Sequence, residues 1–124
     1  MGGLSVKTVI LAFACLVASV AAEAAEGLGG TYRVAGKNFD GSRYSGTAEI
    51  VVTSNTTCRI HWTTGGTTSQ GICMRNGTSF SAAYRLGNVV GLVIYEIKPD
   101  GSLEGLWTVA DSSGVGSEVL TPAR

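Results

Sequence analysis

The sequence predicts an all-β protein, a small antiparallel up-and-down β-barrel of about eight strands. Three observations carry that reading. No stretch after Glu26 sustains a helical period. Short alternating runs follow one another, each bounded by Gly, Asn, Asp or Pro. Several connections are tight turns, so neighbours in sequence are antiparallel neighbours in space. A two-sheet β-sandwich is the alternative that the same pattern allows. The barrel is preferred because a meander of eight strands can close and remove its edges.

The first 25 residues stand apart. Met1 to Lys7 carries one positive charge, Val9 to Val20 is a continuous apolar run, and Ala21-Ala22-Glu23-Ala24-Ala25 offers small-residue cleavage sites after Ala22 or Ala25. This is the pattern of a secretory signal peptide, and the run is too short to be a transmembrane helix. A lipidated Cys15 is the competing reading; Phe13 argues against it, as does the apolar run continuing past Cys15. Residues 26–124 are then one domain, exported to the periplasm or beyond the cell. Nine Lys and Arg balance nine Asp and Glu with no basic cluster, which speaks against nucleic acid as a partner.

The elements follow in order. Gly27 to Gly30 reads as a flexible lead-in. Thr31–Gly36 alternates as a strand, Lys37–Arg43 is a loop with an Asp40-Gly41 turn, and Tyr44–Thr53 alternates again with Gly46, Ala48, Ile50 and Val52 on one face. Ser54-Asn55-Thr56 turns the chain into the central strands Cys58–Thr63, Thr68–Arg75 and Thr78–Arg85. Gly87-Asn88 leads to Val89–Ile97. Lys98-Pro99-Asp100-Gly101 is a strong turn, because proline presets φ and glycine accepts positive φ. Leu103–Ala110, a turn over Asp111–Gly114 and Val115–Leu120 complete the set, and Pro122 ends the ladder. Asp40-Gly41-Ser42 and Asp100-Gly101-Ser102 echo each other as one turn chemistry used twice.

The most informative stretch runs from Cys58 to Tyr84. Gly65-Gly66 is a two-residue turn of the primed type. Folding there sets Thr64 opposite Thr67, Trp62 opposite Ser69, Ile60 opposite Gly71 and Cys58 opposite Cys73. Removing the signal peptide leaves Cys58 and Cys73 as an even pair, which reads as a disulfide in an oxidising compartment. Facing Cα atoms at such a hydrogen-bonded position lie about 5.5 Å apart, and closing a loop of about fifteen residues stabilises by ~3 kcal/mol in the chain-entropy model. Asn76-Gly77 reads as a second such turn, which sets Cys73 beside Phe80 and Gly71 beside Ala82.

Carried through the turns, these registers gather one inward face: Cys58, Ile60, Trp62, Gly71, Cys73, Phe80, Ala82 and Tyr84, then Val93, Tyr95, Ile97, Leu103, Gly105, Trp107 and Val109. Large rings meet small residues, with Trp62 facing Ser69, Tyr84 facing Gly91 and Tyr95 facing Gly105, as a narrow interior requires. The other face collects Arg59, His61, Thr63, Gln70, Ser79, Ser81 and Arg85. It is interrupted by Val90, Leu92, Ile94 and Leu106. That cluster is a strand covered by a second layer or an interface for a partner or a second copy.

Catalytic chemistry is not indicated. His61 is the only histidine, on the polar face, with no carboxylate placed beside it by the available registers. The carboxylates lie in turns (Asp40, Asp100, Asp111) or on strands (Glu49, Glu96, Glu104, Glu118). Glu96 falls opposite Glu104, a like-charge pair that asks for a nearby cation. No nucleophile elbow or phosphate-binding loop is present, and a disulfide with a lone histidine makes no metal site. The expectation is a non-enzymatic protein with neither cofactor nor metal. The candidate ligand-binding residues are Tyr44, Trp62, Tyr84, Tyr95 and Trp107 at a barrel mouth, where small apolar ligands bind among a few polar groups. The alternative is that these rings only fill a core.

The run GTYRVAGKNFDGSRYSGTAEI, the later W-x-x-G-G and QGI, and then GLVIYEIKPDGSLEGLWT with GSEVL resemble a group of small exported bacterial β-domains. Some of these are labelled fibronectin-binding and others are uncharacterised. The resemblance implies export and the fold, and carries no site residue. The expected function is an exported binding module with one disulfide that takes a small apolar ligand or a protein partner. The alternative is a structural or adhesive surface protein acting through the outer apolar stripe, possible as a homo-oligomer.

Overall fold

The computed structural model describes residues 27–123. Eight strands follow sequence order around a closed antiparallel barrel: β1 (Gly30–Lys37), β2 (Arg43–Val52), β3 (Thr57–Thr64), β4 (Thr67–Asn76), β5 (Ser79–Leu86), β6 (Val89–Ile97), β7 (Leu103–Val109) and β8 (Gly116–Pro122). β8 returns to β1, with Tyr32 opposite Pro122 and Lys37 opposite Ser117. Every strand therefore has two partners, and the sandwich does not form. The signal peptide expected over residues 1–25, with Cys15 and the cleavage points after Ala22 and Ala25, lies outside the described residues.

The turns set the registers. Gly65 and Gly66 both hold positive φ, 56° and 80°, as a primed turn with two left-handed residues requires. Cys58 then faces Cys73, and the two are joined by a disulfide with Cα atoms 4.9 Å apart. The β4–β5 connection differs from expectation. The turn is centred on Gly77-Thr78, so Asn76 stays in the ladder opposite Ser79, Cys73 faces Ala82 and Gly71 faces Tyr84. The physical reason is that only Gly77 takes positive φ, 61°, which suits the first central position of a type II′ turn. The slip is two residues, so every inward side chain stays inward.

The two Asp-Gly-Ser turns are built alike. In each, the serine N–H and hydroxyl both donate to the aspartate Oδ1, at 2.9 and 2.6 Å. Those bonds hold both aspartates below the usual carboxylate range. The lead-in is not flexible: Leu28 is buried, and its carbonyl accepts a 2.6 Å hydrogen bond from the Tyr32 hydroxyl.

The two ends of the barrel are unlike. Residues 27–29 and the connections 53–56, 77–78 and 98–102 lie at one end. Inside it Ile50, Ile60, Phe80, Leu103 and Leu120 are almost wholly buried beside the disulfide. The connections 38–42, 65–66, 87–88 and 110–115 surround the other end, which is not filled.

Outside, Val90, Leu92, Ile94 and Leu106 are exposed, with no second layer over them among the described residues. The stripe is wider than the sequence reading drew it. Ile72 and Met74 are 69% and 58% exposed on β4, a strand expected to be polar outside. Small Ala83 and Ser81 join them to Leu92 and Ile94 across β5. Glu96 does face Glu104, and Lys98 Nζ lies 3.7 Å from Glu104 Oε2 to supply the missing cation. His61 is exposed, but it has a carboxylate neighbour after all: Glu49 stands opposite it on β2. Nothing in the connection 53–56 announces that register.

Candidate functional site

The open end of the barrel is shaped by a repeated device. An inward aromatic on one strand lies across a glycine on the next strand and is anchored one strand further on. Tyr44 of β2 crosses Gly36 of β1, and its hydroxyl donates to Glu118 Oε1 of β8 at 2.8 Å. Tyr95 of β6 crosses Gly105 of β7, and its hydroxyl donates to Glu118 Oε2. Tyr84 of β5 crosses Gly91 of β6 and donates to the Thr108 carbonyl of β7 at 3.2 Å. Trp107 of β7 lies over Gly116 of β8. Any side chain at those glycines would collide with a ring, which is why the sequence places glycine there.

The rings lie flat against the wall. A Cβ built on Gly36 or Gly91 would sit nearest the tyrosine Cζ, with Oη and one Cε next and nearly equidistant. That is an approach along the ring normal. Each ring therefore turns one face to its glycine and the other toward the lumen.

Glu118 is the centre of the arrangement. It is 7% exposed and sits between Gly105 and Gly36 in the ladder, so its flanks are free of side chains. Three donors converge on it: Tyr44, Tyr95, and Trp62 Nε1 at 3.2 Å from Oε2, reaching across from β3. A buried carboxylate needs such partners. Burial pushes its pKa above the ordinary value, and the three hydrogen bonds offset part of that rise. The same burial and the nearby carboxylate raise the phenols: Tyr84 to about 12, and Tyr44 and Tyr95 well above the ordinary tyrosine value.

Above Glu118 is a cavity of about 290 Å³, lined by Tyr44, Trp62, Tyr84, Trp107, Val93 and Val109, with Asn38, Thr64, Gly65, Thr67, Ser69 and Leu86 around its rim. Trp62 and Tyr84 meet edge to face, centroids 5.3 Å apart, and Tyr44 meets Trp107 the same way at 6.3 Å. Phe39, from the β1–β2 loop, stacks on Trp107 at 4.7 Å. The Trp107 indole N–H lies near enough to the Tyr44 hydroxyl to favour its phenolate, yet forms no proper hydrogen bond within the described residues.

Four of the five candidate residues, Tyr44, Trp62, Tyr84 and Trp107, are thus brought together around one cavity. Tyr95 is not in its wall; it supports the floor through Glu118 and stacks on Phe80 at 5.5 Å. Tyr32 and Phe80, also inward aromatics, belong to the closed end. The residue that sequence reasoning missed is Glu118. Its signal was available in Gly116-Ser117-Glu118-Val119-Leu120, where Glu118 shares the inward parity of Gly116 and Leu120. Among the described residues no three His, Cys, Asp or Glu side chains are grouped to hold a metal ion.

No protein-family model matches the chain, and no curated protein matches it in sequence. Solved structures match in fold. A redesigned β-barrel matches with TM-score 0.70 and 18% identity, over 82% of this chain and 96% of its own. A redesigned β-barrel bound to DFHBI matches with TM-score 0.68 and 21% identity, over 80% and 98%. A de novo designed fluorescence-activating β-barrel matches with TM-score 0.65 and 18% identity, over 82% and 98%. These likenesses bear on the closed barrel alone.

Proposed function

We propose that the protein is an exported, non-enzymatic binding protein that takes a small ligand through the open end of its barrel. The observation that carries this is the asymmetry of the interior. One half is packed to near-zero exposure, and the other keeps a cavity of about 290 Å³ with four aromatic walls and a hydrogen-bonded carboxylate beneath. Native interiors are close-packed, so a cavity held open by rings pinned flat over glycines is a built feature. Its size is just below the range of about 300–1,000 Å³ usual for small-molecule sites. Export is supported by the Cys58–Cys73 disulfide, which persists in oxidising compartments, and by the signal-like start of the sequence.

The outer stripe favours a second reading, contact with a protein partner or another copy. Leu92, Ile94 and Leu106 are 52–61% exposed together, and exposed branched clusters of this kind mark interaction surfaces.

One experiment separates the two. The neutral apolar dye N-phenyl-1-naphthylamine is titrated into the wild type, Ser69→Phe and Ile94→Glu. Ser69 lines the cavity opposite Trp62, so phenylalanine there fills it; Ile94 lies outside. The expected result is one saturable site that Ser69→Phe abolishes and Ile94→Glu leaves intact. Dye binding that survives Ser69→Phe and disappears in Ile94→Glu overturns the proposal in favour of the outer face.

A further inference from the structure

We infer that the ligand of the barrel mouth is an organic cation whose charge is carried on an alkylated nitrogen, such as a quaternary ammonium group. The inference deepens the binding-protein reading and rests on it.

It follows from the sign of everything that faces the cavity. The faces of Tyr44 and Tyr84 look into the lumen, because their other faces lie on Gly36 and Gly91. The face of an aromatic ring is the negative pole of its quadrupole. Trp62 and Trp107 complete the aromatic wall, and the floor is the carboxylate of Glu118. Among the described residues no Lys, Arg or His lines the cavity; Lys37 of β1 and Arg43 of β2 stand exposed on the outside. Three of the donors that would greet an anionic or acceptor-rich ligand are already engaged: the Tyr44 hydroxyl and Trp62 N–H bond Glu118, and the Tyr84 hydroxyl bonds Thr108. The Trp107 N–H has no partner among the described residues but is buried, so the wall turned to a ligand is chiefly aromatic surface of negative potential, with the Asn38, Thr64, Thr67 and Ser69 side chains at the rim. A hard, hydrated cation such as sodium would find too few oxygen ligands there. An alkylated ammonium suits it, since its charge is spread under an apolar shell and desolvates at low cost. Aromatic cages recognise such groups in this way, and a cavity of about 290 Å³ accepts a compact head group.

The test uses an isosteric pair, choline and 3,3-dimethyl-1-butanol, which share shape and differ by the charged nitrogen. Trp62 and Trp107, the protein's two tryptophans, both line the cavity, so tryptophan fluorescence reports binding directly. The expected result is choline binding about tenfold or more tightly than the alcohol. Choline stays charged at every pH. Tyr44, Tyr84 and Tyr95, the other titratable groups around Glu118, have raised pKa values and remain neutral at and below pH 7. The preference should therefore fall as the pH drops through the Glu118 pKa, and Glu118→Gln should bring it toward unity at pH 7. The pH series on the wild type stands whether or not that variant folds.

Equal binding of the two, or tighter binding of the alcohol, overturns the cation and leaves the mouth as a site for neutral ligands. The cation is overturned in the same way if neither binds while the apolar dye still enters the mouth. A preference for choline that ignores both pH and Glu118→Gln takes the carboxylate out of recognition and overturns the proposed basis of binding. If choline, the alcohol and the dye all fail to bind, the binding-site reading falls and takes the inference with it.

Discussion

Tyr95→Phe removes one atom from the centre of the barrel and leaves its packing intact. Phenylalanine keeps the ring over Gly105 and the stack on Phe80. What is lost is the hydroxyl that donates to Glu118 Oε2, leaving that oxygen with only the 3.2 Å bond from Trp62. A hydrogen bond to a charged group contributes about 1.5–3 kcal/mol. Urea unfolding at pH 7.5 should show a loss of that size with an unchanged m-value. By heat, 1 kcal/mol shifts the midpoint of a domain this size by about 4–8 °C, so a 2 kcal/mol loss lowers Tm by about 8–16 °C.

The pH dependence has a definite sign. The folded pKa of Glu118 is raised above its ordinary value, so the folded state holds the proton more tightly than the unfolded chain. The contribution of Glu118 to stability is full below the unfolded value and is lost as pH rises through the folded one. Tyr95→Phe takes away a bond that favours the carboxylate, so it raises that pKa further. The variant is therefore penalised most above the folded pKa and least in acid. A loss under about 0.5 kcal/mol at pH 7.5, or the same loss at pH 7.5 and pH 4, would refute the reasoning that Glu118 is a hydrogen-bonded buried carboxylate.

Other outcomes follow from the same contacts. Replacing Cys58 and Cys73 by alanine opens a crosslink of sequence separation 15, and chemical denaturation should record a cost of about 3 kcal/mol; no change would mean the pairing is not made in the native protein. Gly71→Ala builds a Cβ 2.8 Å from both the Ala83 carbonyl carbon and the Tyr84 Cα, against backbone that cannot move aside, so calorimetry should show ~1–3 kcal/mol of destabilisation. Ile94→Glu, at a position 61% exposed, should leave monomer stability within about 0.5 kcal/mol while weakening any self-association seen by analytical ultracentrifugation; unfolding of the monomer would place Ile94 in the core.

Much of this architecture is legible in the turns. Gly65-Gly66 places Cys58 opposite Cys73, and Gly87-Asn88 places Tyr84 opposite Gly91, because a two-residue connection leaves the register no freedom. Asn76-Gly77 misleads by one position, since glycine can occupy either central site and the sequence does not say which. The connection over residues 53–56 is longer and carries no such constraint, so the pairing of Glu49 with His61 appears only in the structure. The candidate site is legible in its aromatics, and the pairing of Trp62 with Ser69, Tyr84 with Gly91 and Tyr95 with Gly105 shows already in the registers, whereas Tyr44 over Gly36 and Trp107 over Gly116 appear only in the structure. That these rings lie flat, leaving one end empty, depends on side-chain torsions that spacing does not encode. Glu118 is missed for a different reason: its inward parity with Gly116 and Leu120 is in the sequence, but its three donors, from β2, β3 and β6, come together only in the fold.

The central claim is that the open end of the barrel holds a small molecule. Native mass spectrometry of the protein purified from its own cells tests it most directly. The account predicts a population carrying one small ligand per chain, removed when Ser69→Phe fills the cavity. A bare chain, or a bound molecule that Ser69→Phe does not displace, would contradict it.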